Sequence, residues 1–192
     1  MTQKLFYIAH MRLPTERAHG FQIMRMCAAF AHHGFDVTLF VPSRKTAHTE
    51  DPFLFYKLQK TFAIERVFSF DLFPVKWLSR AFCFWIDAIS FSFSLFTKIS
   101  ELRKSVVFSR DPVSSFILVW CVPNLCYEVH DTPQPTFLNR ILFRRLKNIV
   151  VTNAIKKQQL IDQLGVPEER MCVAHHGVDY KEFATEYSKS EA

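Results

Sequence analysis

Polar residues stand at the ends of apolar segments, and their side chains are suited to binding a substrate. Arg110 and Asp111 follow one apolar run, and His130 and Asp131 follow another. An imidazole in this position can donate to a substrate hydroxyl or stabilise charge that develops near neutral pH. Two structural alternatives stay open: Asp111 can cap the following helix, and His130 can bond to a neighbouring loop.

A third polar group lies in the loop of residues 10–19, which follows the first apolar run. Arg12 and Arg17 can make forked, charge-assisted hydrogen bonds to phosphate. Gly20 begins a helical pattern, and the free N–H groups at the start of a helix attract an anion by about 0.3–1 kcal/mol. The alternative is a solvated loop with local ion pairs to Glu16.

Strands of a sheet are needed to position these groups. The segments with the length and composition of strands are Leu5–Ala9, Asp36–Val41, Ile64–Phe70, Val106–Phe108, Leu125–Val129, Ile149–Val151 and Met171–Val173. Helical patterns separate them, which predicts an α/β fold: a doubly wound, mainly parallel Rossmann-like sheet in a three-layer sandwich. Because ligands bind at the carboxyl ends of such strands, we expect Gly20, Arg110 and His130 along one edge.

Spacing and end signals define the helices. The expected helices are Gly20–His33, a short one at Asp51–Phe62, Val113–Trp120, Phe137–Lys147, and one from the N-cap Asn153 to Leu164. Gly34 and Gly165 suit the left-handed position after a helix. In Phe137–Lys147, the residues expected to face inward are Leu138, Ile141, Leu142 and Leu146. Those expected to form a basic outer surface are Arg140, Arg144, Arg145 and Lys147.

The segment Lys76–Lys104 is interpreted as a long, mostly buried helix. Helical spacing puts Asp87, Ser90, Ser94 and Thr97 on one stripe and Phe82, Trp85, Ile89, Phe93 and Phe96 on the opposite one. We expect the aromatic stripe to be part of the core. The alternatives are a strand at Phe91–Ser94 and a membrane-surface contact through the aromatic residues. The apolar run is shorter than the roughly 20 residues of a membrane span.

Composition limits the classes of function. The chain has 192 residues, of which 49% are hydrophobic and 22% charged, as in an ordinary globular domain. Its net charge of +6 favours phosphorylated ligands or anionic lipid, and no aromatic-basic motif indicates nucleic acid. The cysteines form no Cys-x-x-Cys pair and the N-terminus has no signal-peptide pattern, so we expect a cytoplasmic protein.

Common cofactor and catalytic motifs do not occur in the sequence. The glycine patterns of nicotinamide dinucleotide sites, Walker loops and serine hydrolases are all missing. His175, His176 and Asp179 could suggest a metal site. However, adjacent histidines seldom both reach one ion, and the spacing places no third ligand, so we expect no metal.

The residues above, taken as an ordered set, resemble a known family. Met11–Gln22 looks like the first loop and helix of family-4 glycosyltransferases of the GT-B fold. The later landmarks are Arg110–Asp111, Glu128–Asp131, Asn153 before a helix, and His176–Asp179 with Phe183. Their order and spacing match the N-terminal domain of that family from Leu5 to Phe183.

The resemblance implies an enzyme with two Rossmann-like domains that face a cleft. Such enzymes move a sugar from a nucleotide-sugar to an acceptor, retain the anomeric configuration and use no metal or other cofactor. Residues 1–183 would be the N-terminal, acceptor-side domain, and residues 184–192 a polar tail or the start of the interdomain linker.

The resemblance also implies roles for single residues. His130 would be the catalytic residue that reaches the transferred sugar, and the loop that ends at Gly20 would approach the donor phosphates. The implied substrate-binding residues are Arg12, Glu16, His19, Gly20, Arg110, Asp111, Asp131 and Asn153. His176, Gly177 and Asp179 would lie on the donor side, where the chain crosses between the domains.

Two features depart from the family pattern. The donor-binding domain with its paired-glutamate motif does not occur in the sequence, and the usual glycine pair of the first loop is reduced to Gly20. We therefore expect the acceptor-binding half of a glycosyltransferase, with weak or no transfer alone.

The expected partners are a nucleotide-sugar, a sugar or lipid-linked acceptor, and a C-terminal glycosyltransferase domain. The basic surface of Phe137–Lys147 would suit peripheral contact with an anionic membrane, at its inner face. The alternative function is a non-catalytic Rossmann-like binding or interaction domain.

Overall fold

A parallel sheet forms the centre of the molecule. The computed structural model describes residues 2–46, 48–175 and 177. Its strands are β1 Lys4–Ile8, β2 Asp36–Pro42, β3 Ala63–Val67, β4 Val106–Ser109, β5 Leu125–Val129, β6 Asn148–Val151 and β7 Met171–Val173. They lie in the order β3-β2-β1-β4-β5-β6-β7, and all pairs are parallel. The strand order reverses between β1 and β4, so a crevice opens there at the carboxyl edge.

Helices cover both faces of the sheet. They are α1 Ala18–His32, α2 Pro52–Phe55, α3 Arg80–Ser94, α4 Ile99–Leu102, α5 Pro112–Leu118, α6 Phe137–Arg145 and α7 Ala154–Leu164. Short 3-10 turns occupy Leu95–Lys98 and Glu168–Arg170. Gly34 and Gly165 have φ angles of 87° and 64° after α1 and α7, which confirms the predicted left-handed helix ends.

Two apolar layers lie on opposite sides of the strands. Leu5 and Tyr7 of β1 pack with residues of α1, whereas Phe6 and Ile8 join the opposite layer. The helical residues of that opposite layer include Phe91, Leu118, Leu142 and Leu160, from α3, α5, α6 and α7. The predicted doubly wound, three-layer α/β fold is therefore confirmed.

The orientation predicted for α3 is wrong. The aromatic residues expected in the core form an exposed stripe, here called the aromatic face: Phe82, Trp85, Ile89, Phe93 and Phe96, with 49%, 52%, 40%, 61% and 38% of their surface exposed. Asp87, expected on the outer stripe, is fully buried. Its carboxylate contacts His10 and Arg44, and these ion pairs turn its side of the helix toward the sheet.

By length and composition alone, Arg80–Leu102 would qualify as a membrane span, at 23 residues and a mean hydropathy of 1.3. Its inner side is nevertheless built into the domain, because Phe91 and Leu95 are completely buried in the core. The segment is therefore a surface helix that exposes apolar side chains.

Three smaller predictions are also corrected. The helix expected at Asp51–Phe62 is shorter than predicted and is limited to α2, because Lys57 has a φ angle of 53° and cannot continue it. The third strand ends at Val67 and not at Phe70, because its neighbour β2 ends at Pro42. Leu138, expected to face inward, is 56% exposed because it lies in the first turn of α6, where no element among the described residues covers it.

Candidate functional site

Hydrogen bonds from distant residues fix the loop that follows β1. The hydroxyl of Tyr56 donates to the Thr15 carbonyl at 2.7 Å and accepts from the Thr15 N–H at 2.9 Å. A guanidinium nitrogen of Arg66, on β3, donates to the Leu13 carbonyl at 2.7 Å. These contacts within the domain thus define the conformation of the loop that carries Arg12, Glu16 and His19.

Gly20 has a structural reason to be glycine. A Cβ atom at this position would lie 2.5 Å from Cγ2 of Thr15 and 2.5 Å from the hydroxyl oxygen of Tyr56. Both residues belong to the hydrogen-bonded contact that fixes the loop, in which the Tyr56 hydroxyl bonds to the backbone of Thr15. The missing side chain at Gly20 therefore lets α1 pack directly against this loop.

Arg110 connects the tips of three elements at the crevice. Its side chain donates to the Gln22 side-chain oxygen at 3.1 Å and to Nδ1 of His130. Its Nε atom also lies 3.6 Å from Oε1 of Glu128, and both of these side chains are less than a tenth exposed. Gln22 is on α1, two residues after Gly20, so the structure brings the Gly20, Arg110 and His130 regions together at one edge, as predicted.

The contact with Arg110 defines the protonation of His130. A guanidinium has no acceptor, so Nδ1 must accept and the neutral ring carries its proton on Nε2. Lys156 on α7 also fixes the backbone of His130. Its Nζ donates to the His130 carbonyl and to Oγ1 of Thr152, the latter at 2.9 Å. His130 is therefore an oriented imidazole at the mouth of the crevice.

Burial and charge shift the ionisation of groups around Arg110. The pKa of Tyr7 is raised, first by burial and then by the Glu128 carboxylate, while Arg110 acts in the opposite direction. The pKa of His19 is lowered, first by burial and then by the positive charges of Arg17 and Arg110. Tyr7 is therefore a neutral phenol at neutral pH, and a neutral His19 is favoured.

Two of the predicted binding residues serve as helix caps. The Asp111 carboxylate accepts from the Ser114 N–H at 2.7 Å and caps α5. The Asn153 side chain accepts from the Lys156 N–H at 2.8 Å and caps α7. These bonds give both residues a structural function, and contact with a substrate stays a prediction for each of them.

The remaining predicted residues differ in what the structure places around them. Asp131 is exposed beside His130, and Glu16 is exposed with one oxygen 3.4 Å from His48. Gly177 is exposed, while His176 and Asp179 lie outside the described residues. Within residues 2–46, 48–175 and 177, no group of three or more His, Cys, Asp and Glu side chains could hold a metal.

A cavity of about 690 Å³ lies beside the crevice, between the loop after β1 and the start of α3. Its cationic lining residues are Arg12, Arg17, Arg44, Lys76 and Arg80, with His10 and His19. At its base, Oδ2 of Asp87 lies 2.6 Å from Nε2 of His10 and 3.0 Å from a guanidinium nitrogen of Arg44. This cavity can bind an anion of substantial size.

Sequence reasoning assigned no individual role to several residues that build this region. Glu128 is an acid within an apolar strand, and that pattern alone indicates a buried partner. Arg44 comes just after the carboxyl end of β2, as Arg110 comes just after that of β4, so its place in the sequence indicated a residue at the ligand-binding edge. For Tyr56 and Lys156 no local signal exists, because their contacts are 41 and 26 residues away along the chain.

The arrangement is suited to binding a polyhydroxylated, anionic ligand. An oriented imidazole and a guanidinium face the crevice, and further cations line the adjoining cavity. None of these groups is a strong nucleophile, so the wall can orient a substrate and stabilise charge.

Solved structures share this fold. A glycosyltransferase from Rickettsia africae ESF-5 is 14% identical with a TM-score of 0.62, and the match covers 95% of this chain and 45% of that one. UGT2 of Phytolacca americana, complexed with UDP-2fluoro-glucose and pterostilbene, is 10% identical with a TM-score of 0.54, with coverages of 86% and 52%. The chain thus spans about half the length of each structure, and at these identities the likeness concerns the fold alone.

A family model matches most of the chain and identifies its family. No protein of curated function matches the sequence significantly. The model of Glycosyltransferase Family 4, in contrast, matches residues 20–182, which is most of the chain and includes Gly20, Arg110 and His130. The chain therefore belongs to glycosyltransferase family 4, and its sheet is one Rossmann-like half of a GT-B fold.

Proposed function

We propose that this chain is the acceptor-binding half of a glycosyltransferase that moves a sugar from a nucleotide-sugar to an acceptor. The observation that carries the proposal is the convergence of Gln22, Glu128 and His130 on Arg110 at the switch point of the sheet. In a sheet of this type, a ligand binds in that crevice. Membership of family 4 supports sugar transfer as the reaction.

The donor is a nucleotide-sugar, held mainly by a second, C-terminal Rossmann-like domain. The similar structure from Phytolacca americana contains a fluorinated UDP-glucose, and this chain covers 52% of it. A site that consists of two facing walls loses most of its positioning when one wall is missing. The chain alone is therefore expected to transfer sugar weakly or not at all, and it needs no metal or other cofactor.

In this proposal His130 donates from Nε2 to a hydroxyl of the transferred sugar. Arg110 keeps the imidazole in this tautomer and adds positive charge beside the reacting centre. The loop from Arg12 to Gly20 binds substrate together with Asp131. His176, Gly177 and Asp179 would lie where the chain crosses to the donor-binding domain.

The proposed acceptor is a sugar or a lipid-linked acceptor, with peripheral contact at the inner, cytoplasmic face of a membrane. The aromatic face of α3 provides the apolar surface for this contact, and Lys76 and Arg80 at its start suit anionic headgroups. The basic surface of α6 is less suitable, because Lys147 precedes β6 and lies at the amino edge, away from the crevice. There the Arg145 guanidinium lies 3.5 Å from the Trp120 ring centroid.

Reconstitution tests the proposed function. The chain would be co-expressed with a donor-binding, C-terminal Rossmann-like domain of glycosyltransferase family 4 from the same organism. Transfer from radiolabelled nucleotide-sugars would be compared for the pair and for each half alone. We expect turnover only from the pair. Turnover by the chain alone would contradict the two-wall account, and a pair inactive with every donor would favour a non-catalytic binding domain.

A further inference from the structure

The cavity beside the crevice carries an excess of positive charge. Among the described residues, its lining contains arginines, lysine and histidines but no acidic residue. The buried acid below it, Asp87, is already paired with His10 and Arg44. The lining residues that the structure describes thus include no acidic side chain to balance the positive charges of Arg12, Arg17, Lys76 and Arg80.

Aromatic and ionic contacts hold two of the cations, Arg12 and Arg44, in place. The guanidinium carbons of Arg12 and Arg44 lie 5.3 and 4.3 Å from the centroid of the Phe73 ring. Arg44 is further fixed by Asp87 at 3.0 Å. Two like charges on one ring repel each other, and an anion between them would remove that repulsion. The side chains therefore form a prepared anion site.

An apolar surface begins at the wall of the same cavity. Phe84 of α3 lines the cavity, is 40% exposed, and has its ring centroid 5.8 Å from that of Trp85 on the aromatic face. Trp77, next to Lys76, is 84% exposed. A charged pocket that continues into exposed aromatic rings fits a ligand with a charged head and an apolar chain.

The cavity also adjoins the crevice on the side away from β5. Arg17 and His19 line it, and His19 is near enough to Arg110 on the crevice side for the charge of Arg110 to help lower its pKa, after burial and the charge of Arg17. A ligand with its head in the cavity could therefore extend a sugar toward His130. The β4 and β5 tips remain available to the donor side.

We propose that this cavity and the aromatic face together bind a lipid-linked acceptor, whose phosphate or diphosphate lies among Arg12, Arg17 and Arg80 and whose apolar chain lies along Phe84 and Trp85. This assignment rests on the proposed acceptor role of the domain and names its substrate class. Forked arginine–phosphate bonds give the head its affinity. Burial of the chain on aromatic side chains adds to it.

Binding to the chain alone tests this proposal without a donor. Inorganic pyrophosphate and farnesyl diphosphate, the latter below its micelle concentration, would be titrated calorimetrically. We expect both to bind, with farnesyl diphosphate tighter by roughly tenfold or more. R12A/R80A should weaken both ligands by roughly tenfold, and Trp85→Ser should remove only the gain from the apolar chain.

The matched control is R144A/K147A, which removes the same charge from exposed positions near the opposite edge and should leave both affinities unchanged. Equal affinities for the two ligands, or equal losses in the two charge variants, would overturn the proposal. So would the absence of pyrophosphate binding. If binding fails while the reconstituted pair transfers sugar, only this acceptor class is wrong. If binding succeeds and the pair is inactive, the proposed transfer function is wrong instead.

Discussion

The side chain of Arg110 donates a hydrogen bond to Nδ1 of His130, and so joins the tips of β4 and β5 where the sheet opens into a crevice. The two residues are 20 positions apart in the sequence. Glu128 lies beneath them and Gln22 beside them. Orientation of the imidazole is thus a property of the folded domain and does not require a substrate.

Replacement of Arg110 by Ala is expected to destabilise the domain as well as the site. It would leave the Glu128 carboxylate buried without its cation, which costs about 3–5 kcal/mol in the free energy of unfolding. The double variant R110A/E128Q should recover part of this loss, because the orphaned charge is removed. Urea unfolding of the four proteins of this cycle measures the coupling. Strictly additive effects would contradict the ion pair.

Gly20→Ala should destabilise the domain by about 1–3 kcal/mol, because its Cβ would clash with Thr15 and Tyr56. Adding Thr15→Ser removes one of the two clashing atoms and should restore part of the stability. Thermal unfolding measures both effects. A variant as stable as the wild type would show that the loop relaxes easily, and the packing reason for Gly20 would then be wrong.

Acid should weaken the attachment of α3. Burial raises the pKa of Asp87, but the hydrogen bond from His10 and the charges of His10 and Arg44 outweigh it, so the pKa falls below the ordinary 3.8. A carboxyl with a depressed folded-state pKa stabilises the fold above about pH 4, and this contribution is lost as the pH falls further.

The corresponding measurement is the free energy of unfolding between pH 3 and pH 6, each value to be obtained from urea titrations. Asp87→Asn should lower stability near pH 6 and reduce the steepness of the acid loss below about pH 4. Asp162→Asn, at an exposed position of α7, serves as the control and should leave the profile unchanged. An unchanged acid profile in Asp87→Asn would contradict the role assigned to this carboxylate.

Membrane contact should depend on α3 and not on α6. Trp85→Ser with Phe93→Ser should weaken sedimentation with anionic phosphatidylglycerol vesicles by roughly tenfold or more, while stability stays close to that of the wild type, because both side chains are exposed. The control R140A/R144A should sediment like the wild type. If the α6 variant sedimented less than the α3 variant, the membrane contact would instead be made by the basic surface of α6.

Much of the fold follows from local patterns in the sequence. Strand-length apolar runs and the caps at Asp111 and Asn153 depend on neighbours within a few residues, so sequence spacing predicts them. The same holds for Gly34 and Gly165, whose left-handed φ angles end two helices.

What sequence reasoning could not predict depends on long-range pairing. The outward turn of the aromatic face follows from Asp87, whose partner His10 is 77 residues away. Local hydropathy favoured burial of the aromatic stripe, and the buried ion pairs together with Phe91 and Leu95 reversed that preference. The cation cavity likewise joins residues from separate loops, and no local pattern brings them together.

The most direct measurement of the central claim is the turnover of His130→Ala after reconstitution of the chain with the proposed donor-binding domain. The account predicts a loss of roughly 10²–10⁴-fold in kcat/KM with unfolding stability retained, because the exposed imidazole acts on the transferred sugar. His33→Ala, an exposed histidine after α1, should keep full activity. Turnover of His130→Ala equal to that of His33→Ala would contradict the claim that the tips of β4 and β5 form the wall of a sugar-transfer site.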